Sequence, residues 1–161
     1  MARAHRFAFQ SSHTRFAHHL PALRRTLRRV LPHLTERPVA LGVFLVSDAE
    51  MRALNRASRG KDKPTNVLSF EEPSRMPHPE LPKGTRVLGE IVLAPDLVAR
   101  KGEDLAELLV HGLLHLFGYT HGTARDRIEM ETKEDELHGL YDNRIGRRFE
   151  HGARRGRRRA A

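Results

Sequence analysis

The sequence of 161 residues has the length of one domain, and 39% hydrophobic residues are enough for a sizeable core. It contains no cysteine, which excludes a disulfide framework, a thiolate metal site and a cysteine nucleophile. The net charge of +9 is uneven, because residues 1–35 contain seven arginines and no acid, residues 36–143 contain 14 Lys and Arg against 19 Asp and Glu, and residues 144–161 contain eight arginines and one acid.

The first part of the chain predicts strands alternating with helices. Residues 5–10 (HRFAFQ) alternate in polarity and predict a short strand. Pro21 suits the first turn of a helix, in which leucine and valine recur every three or four positions up to residue 34. Residues 39–46 (VALGVFLV) predict a buried strand. Ser47 and Glu50 then form a capping box that opens a helix to about Ala57.

The second part predicts two more strands and two helices. Residues 66–70 and 86–95 predict strands, separated by an exposed, proline-rich loop. Asp96 is a candidate cap for a short helical turn. Residues 104–118 predict a buried helix that Gly118 ends, and Thr123 with Asp126 caps a last helix to about Tyr141. This order predicts a single α+β domain, residues 1–143, in which a small mixed sheet packs on a central helix.

The ends of the chain are expected to bear on partners and location. Residues 144–161 predict a basic, disordered tail, and basic ends are typical of proteins that bind RNA. The Arg-rich N-terminus also resembles a mitochondrial transit peptide, although it fits folded structure as well. No apolar run is long enough to span a bilayer, and no secretory signal is recognisable. We therefore expect a cytoplasmic protein, with a mitochondrial location as the alternative.

Residues 111–121 (HGLLHLFGYTH) contain three histidines in an apolar segment. His111 and His115 share one face of the predicted helix, about 6 Å apart along its axis. Gly118 turns the chain back, so that His121 can approach the same point. Three imidazoles with an open fourth position are typical of a catalytic zinc site. The alternative is a chance grouping among 11 histidines, but two imidazoles on the inner face of an apolar helix are costly without a shared purpose.

The spacing of these histidines matches the metzincin peptidase signature H-E-x-x-H-x-x-G-x-x-H at every position but one. The signature requires a glutamate after the first histidine as the general base. The sequence has Gly112 there, which cannot accept a proton. Metal-assisted hydrolysis is therefore predicted, and a peptide substrate is disfavoured.

Three motifs in order and spacing resemble the YbeY family: RGKDKPTNVLSF, LGEIVL and HGLLHLFGYTH. The resemblance covers roughly residues 40–140. It implies a zincin-like α+β domain that is a single-strand-specific, metal-dependent endoribonuclease. The implied role is maturation of the 3′ end of small-subunit ribosomal RNA and ribosome quality control. The implied partners are the small ribosomal subunit and ribosome-associated proteins.

The resemblance also implies roles for individual residues. The metal ligands would be His111, His115 and His121, holding one Zn²⁺ per chain, although imidazoles suit other transition metals as well. His115 would thereby be part of the catalytic centre. Arg59 would be the catalytic arginine, whose guanidinium can hold a phosphate in two-pronged fashion.

Further residues extend the predicted substrate site or depart from the family. Lys61 and Lys63 continue the basic strip after Arg59, and Asn66 is a candidate either for positioning RNA or for capping the strand. Two family aspartates are replaced here, by Thr120 in the histidine motif and by Glu90 in LGEIVL; Glu90 is also a candidate general base.

Two other functions fit parts of the pattern. One is a non-catalytic ribosome assembly factor with a structural metal, although structural zinc sites usually have four protein ligands and only three are evident. The other is a zincin-type peptidase or other hydrolase, which Gly112 disfavours. A plain RNA-binding module would leave the three histidines unexplained.

Overall fold

The computed structural model describes residues 4–73 and 76–141. The strands are β1 (Arg6–Ser11), β2 (Val39–Leu45), β3 (Val67–Glu71) and β4 (Arg86–Leu93). The α-helices are α1 (Leu20–Val30), α2 (Asp48–Arg59), α3 (Pro95–Arg100), α4 (Leu105–Leu116) and α5 (Ala124–Tyr141), and short 3₁₀ helices cover Thr14–His19 and Leu31–His33. The predicted order of elements is confirmed, with the 3₁₀ helices added. The predicted tail, residues 144–161, lies outside the described residues.

The four strands form one mixed sheet in the order β1-β2-β4-β3. The pairs β1–β2 and β2–β4 are parallel, and β3 pairs antiparallel with β4. Parallel neighbours need a crossover connection, which α1 supplies between β1 and β2. The register shifts once, where Ala40 and Leu41 face Val87 and Gly89 and so skip Leu88. The mixed α+β architecture predicted from the sequence is thereby confirmed.

Successive side chains of a strand point to opposite sides of the sheet, and each side contributes to a hydrophobic cluster. On one face, Val43 and Ile91 belong to the main core with residues of α1, α4 and α5. On the other face, Phe44 and Val92 pack in a smaller cluster with Met51 of α2. Helix α4 is buried on nearly all sides, with Leu109, Leu113 and Leu114 fully inaccessible, as predicted for the central helix.

The Arg-rich segment that resembles a transit peptide is part of the fold. Its residues form β1 and α1, and the α1 side chains of Leu23, Leu27 and Val30 are buried in the main core. Burying each such side chain contributes about 1.5–3 kcal/mol relative to leaving it exposed. Within the described part of the chain, no helix has both the length and the apolar composition to cross a membrane.

Local capping signals located the start of α2 correctly and that of α3 incorrectly. The predicted capping box is present at α2, where the Glu50 amide donates to Ser47 Oγ (3.3 Å) and the Ser47 amide donates to Glu50 Oε2 (2.8 Å). Helix α2 extends to Arg59, beyond the predicted end near Ala57, because Gly60 (φ 70°) supplies a left-handed cap. The predicted cap at Asp96 is wrong, since this residue lies in the first turn of α3 and Ala94 precedes that helix.

Candidate metal centre

Helix α4 and the turn after it bring the three histidines together. The carboxylate of Asp104 caps the start of α4 by accepting from the amides of Ala106 (2.8 Å) and Glu107 (3.1 Å). The helix ends at Leu116, and Gly118 adopts φ 98°, a conformation that glycine reaches without strain. The chain then reverses, which carries His121 back towards α4, as the sequence predicted.

The three imidazoles converge on one point. The ring centroid of His111 lies 4.7 Å from that of His115 and 5.1 Å from that of His121, and the centroids of His115 and His121 are 4.9 Å apart. One nitrogen from each ring lies within 4.8 Å of the others. The Nε2 atoms of His111 and His115 are separated by 3.1 Å. Two nitrogens on one tetrahedral zinc ion would be about 3.3 Å apart, given Zn–N bonds of 2.0–2.1 Å. The donor set and its spacing therefore fit a single transition-metal ion.

The remaining ring nitrogens of the two helical histidines are held by acceptors. His111 Nδ1 donates to Glu134 Oε1 (2.6 Å), and His115 Nδ1 donates to the Tyr119 carbonyl oxygen (2.8 Å). A carbonyl or an ionised carboxylate can only accept, so each neutral ring carries its proton on Nδ1. The two Nε2 lone pairs consequently face each other across 3.1 Å. Facing lone pairs repel unless a cation lies between them, so this arrangement favours a metal ion.

The environment of His115 keeps its imidazole in the neutral form that binds metals. Burial lowers the pKa of His115 below its usual value, and the neighbouring His111 ring lowers it further. The hydrogen bond to Tyr119 opposes this shift. His121 is exposed and has ring contacts with the other two histidines. The centre is therefore closed on the α4 side and open on the His121 side.

Glu134 is the member of this site that sequence reasoning missed. It lies on α5, and its side chain and that of His111 are each 24% exposed. A second pair joins the same helices, because His138 Nε2 lies 3.1 Å from Glu107 Oε1. Each helix thus contributes a glutamate and, four positions later, a histidine to two crossed pairs. The sequence therefore contains the same Glu-x-x-x-His spacing in both helices. This spacing predicts the two ion pairs only when the helices are known to pack side by side and antiparallel.

The glycine in place of the peptidase glutamate faces the sheet. A Cβ atom at Gly112 would lie 3.0 Å from both Ile91 Cγ2 and Ser69 Oγ, and 3.3 Å from Val67 Cγ2. The Ser69 hydroxyl donates to the Gly112 carbonyl oxygen at 3.1 Å, which ties α4 to β3. Position 112 therefore allows the close approach of helix and sheet and has no room for a glutamate.

Arg59 and the two helical histidines belong to helices that pack on opposite faces of the sheet. Arg59 is the exposed last residue of α2, which packs on the sheet face opposite α4. The loop after it leads to the edge strand β3 and contains the exposed Lys61 and Lys63. The buried amide of Asn55 anchors this loop by donating to the Lys63 carbonyl oxygen at 2.8 Å. The loop that begins after Arg59 therefore leads to the β3 edge, where β3 packs against α4, the helix of His111 and His115.

An ion pair reinforces the same loop. Arg52 donates to both carboxylate oxygens of Asp62, at 2.9 and 3.0 Å. The loop that carries the candidate cations is thus fixed at two points, Asp62 and the Lys63 carbonyl.

The surroundings of Asn66, Glu90 and Thr120 bear on the roles considered for these residues. Both ends of the Asn66 amide are engaged, since Nδ2 donates to Glu103 (3.1 Å) and Oδ1 accepts from the Val67 amide (2.8 Å), which favours strand capping over RNA binding. Glu90 lies over Gly42 on the α2 face of the sheet, away from the histidines, so it is wrongly placed for a general base. Thr120, which replaces a family aspartate, is exposed, and the helical histidines are oriented instead by the Tyr119 carbonyl and Glu134.

Known proteins resemble this chain over most of the described residues. The family model described as Endoribonuclease YbeY matches residues 8–141. The proteins named Endoribonuclease YbeY from Chelativorans sp. (strain BNC1) and Rhodopseudomonas palustris are 45% and 44% identical, over 61% and 58% of this chain and 63% and 53% of their own lengths. The namesake from Anaeromyxobacter sp. is 38% identical over 79% of this chain and 67% of its own length. The chain thus spans between half and two thirds of these relatives.

A solved structure supports the fold. The solution structure of TM1509 from Thermotoga maritima superposes with a TM-score of 0.51, covers 88% of this chain and 99% of its own, and is 22% identical in sequence. At that identity the likeness concerns the arrangement of strands and helices alone.

Proposed function

This chain belongs to the YbeY family, and we propose that it is a metal-dependent endoribonuclease that cleaves single-stranded RNA. Its substrate is ribosomal RNA, at the 3′ end of the small-subunit precursor, and its setting is maturation and quality control of the small ribosomal subunit in a bacterial cytoplasm. Three bacterial relatives bear the name Endoribonuclease YbeY. The observation that carries the proposal is the convergence of three imidazole nitrogens within 4.8 Å.

His111, His115 and His121 hold the metal ion, which we take to be one Zn²⁺ in a zincin-like arrangement. Zinc in such a site polarises a phosphoryl oxygen and makes water more acidic. Glu134 and the Tyr119 carbonyl keep the Nδ1 protons of the helical histidines, so their Nε2 lone pairs remain available. The exposed side at His121 leaves room for a substrate phosphate.

The cationic end of α2 binds the RNA backbone next to this centre. Arg59 is the residue suited to hold the scissile phosphate and to offset charge that develops on it, because a guanidinium presents two parallel donors. Lys61 and Lys63 extend the contact to neighbouring phosphates. Asn55 and the Arg52–Asp62 pair hold the loop in place before RNA binds, which lowers the entropic cost of binding. Asn66 supports the loop through Glu103 and the first amide of β3.

The proposal is tested with a labelled small-subunit precursor RNA, alone and in small subunits. Wild-type protein is compared with His115→Ala, checked for folding by circular dichroism, and with Arg59→Ala. We expect cleavage by wild type, no cleavage by His115→Ala and a large loss with Arg59→Ala. Equal cleavage by wild type and His115→Ala would refute the site assignment.

The second candidate is an assembly factor in which the metal is structural. Three ligands with one exposed histidine favour a catalytic site over a structural one. Retained subunit binding without cleavage, together with unfolding of His115→Ala, would favour the assembly factor. A peptidase is disfavoured by Gly112, whose position against Ile91 and Ser69 leaves no space for the required base.

A further inference from the structure

The charged side chains that helix α1 exposes are all positive. Arg25, Arg28 and Arg29 are exposed, and Arg24 is half-buried with its guanidinium 4.7 Å from the Phe9 ring centroid. The helix contains no acidic residue. Positions three and four apart lie next to each other on a helix, so Arg25, Arg28 and Arg29 form one cluster with neighbouring Cβ atoms about 5–6 Å apart.

Helix α5, which also has an exposed face, is built differently. Helix α5 mixes both signs, and its Arg125–Glu129 and Lys133–Glu136 pairs are closed at 3.1 and 2.8 Å. Such interspersed pairs support a helix and avoid self-repulsion. The arginines in the last turn of α1 interact favourably with the helix dipole, but this effect reaches neither Arg24 nor Arg25 and does not explain the absence of acids.

Two of the exposed arginines have no acidic partner within the described residues. Arg25 and Arg28 form no ion pair there, whereas Arg15, Arg52 and Arg100 each pair with an aspartate. Glu103 and Asp104 line the same groove as Arg25. They are already engaged, Glu103 by Asn66 and Asp104 by the first turn of α4. Arg25 and Arg28 are therefore available to an anionic partner.

We propose that the exposed face of α1, centred on Arg25 and Arg28, is a second phosphate-binding surface for single-stranded RNA. This inference rests on the proposed function and adds to it a contact away from the cleavage site. Helix α1 packs against α4 and α5, so the surface lies on the same side of the sheet as the histidines. An RNA strand bound there would lie beside α4, the helix of His111 and His115, and would be held by its phosphate backbone rather than by its bases.

An anionic membrane is the competing partner for a basic amphipathic helix. Membrane binding by such a helix needs an apolar face to insert. In α1 that face, Leu23, Leu27 and Val30, is buried in the core. Within residues 4–73 and 76–141 the exposed large hydrophobic side chains are Met76 and Ile128, and neither is on α1. The surface therefore offers charge without an inserting group, which favours RNA.

The experiment compares full-length wild type, Arg25→Gln/Arg28→Gln and a charge-matched control, Arg6→Gln/Lys83→Gln, whose substituted residues are exposed elsewhere. Binding of a fluorescent single-stranded oligoribonucleotide is followed by anisotropy in EDTA, which prevents cleavage, over a series of salt concentrations. We expect the α1 variant to bind about threefold to tenfold more weakly at ~0.1 M salt. Its salt-dependence slope should fall by about 1.4, because each lost phosphate contact on a single strand contributes about 0.7.

The control should change the dissociation constant less than about twofold. Wild-type affinity and slope in the α1 variant would overturn the inference. If wild type binds RNA, and cleaves it when metal is added, while the α1 variant binds RNA as tightly as wild type, only this inference fails. If wild type does not bind RNA, the proposed function fails as well. Loss of binding to phosphatidylserine vesicles with unchanged RNA binding would overturn the inference in favour of a lipid.

Discussion

Replacing Glu134 should weaken the metal centre without removing a ligand. Its carboxylate accepts the Nδ1 proton of His111 at 2.6 Å, in a site where both side chains are 24% exposed. Loss of such an orienting partner typically weakens metal binding by about 10–100-fold. We expect Glu134→Ala to fall in this range. Glu134→Gln should lose less, because its amide oxygen still accepts a hydrogen bond but is uncharged.

The effect on stability follows from linkage. At a metal concentration 100 times the wild-type dissociation constant, binding stabilises the folded protein by about 2.7 kcal/mol. A 100-fold weaker variant at the same concentration gains only about 0.4 kcal/mol. For a protein of this size the difference corresponds to a metal-induced rise in Tm that is roughly 5–9 °C smaller.

The assay is a titration of metal-free protein with Zn²⁺ against a chromophoric chelator, followed by thermal unfolding with and without metal. Glu136→Gln is the matched control, because Glu136 lies on the same helix, loses the same charge and pairs with Lys133 at the surface. The control should bind zinc like wild type. Equal zinc affinity in Glu134→Ala and Glu136→Gln would refute the argument that Glu134 orients His111.

Three further predictions test the framework of the site. Gly112→Ala should destabilise the protein by about 1–3 kcal/mol in urea unfolding, because its Cβ would press on Ile91 and Ser69. Gly139→Ala, in open space on α5, should instead stabilise the protein by about 0.5–1 kcal/mol. Effects of the same sign in the two variants would contradict the packing argument. Hydrogen bonds from Ser12 and Ser47 lower the pKa of Glu50, so its stabilisation is present above the unfolded-state value near 4.5 and is lost as pH falls through the lower folded-state value. The difference in unfolding free energy between wild type and Glu50→Gln should therefore shrink below about pH 4.5, and a constant difference down to pH 3 would count against it. Asn55→Ala leaves the Lys63 carbonyl without its buried donor, which should cost about 1–3 kcal/mol and speed amide hydrogen exchange in residues 60–66; unchanged exchange there would show that the loop does not depend on Asn55.

The features that the sequence predicts best are those fixed by local contacts. The caps at Ser47 and Thr123 are hydrogen bonds between residues three positions apart, so the pattern alone locates the starts of α2 and α5. The pairing of His111 with His115 is likewise a property of helical spacing. Convergence of His121 follows from the glycine that ends α4.

The features that the sequence did not predict depend on how elements pack. Simple alternation along β4 would place Glu90 on the same face as Leu88. The register shift at Ala40 and Leu41 changes this, so that Leu88 and Ile91 share the main core and Glu90 lies on the other side. The position of Arg59 could not be predicted either. It depends on which face of the sheet α2 covers, and only the three-dimensional packing decides this.

The position of Glu134 is also beyond local reasoning. Its contact with His111 requires that α5 return antiparallel to α4 with one particular rotation about its axis. Met130 and Leu137, which are buried in the main core, fix that rotation. Apolar packing of α5 therefore determines which of its many acidic residues reaches the imidazole.

The order in which these parts leave a translating ribosome determines when the candidate metal centre is complete. Synthesis begins at the N-terminus, so a nascent chain acquires His111, His115 and His121 before it acquires Glu134. A premature termination product that stops between His121 and α5 would contain every metal ligand, but neither the orienting carboxylate nor the Met130 and Leu137 side chains that pack α5 into the core. The centre is thus completed by the last helix that the structure describes, and an unfinished chain would bind a metal ion more weakly than the finished one.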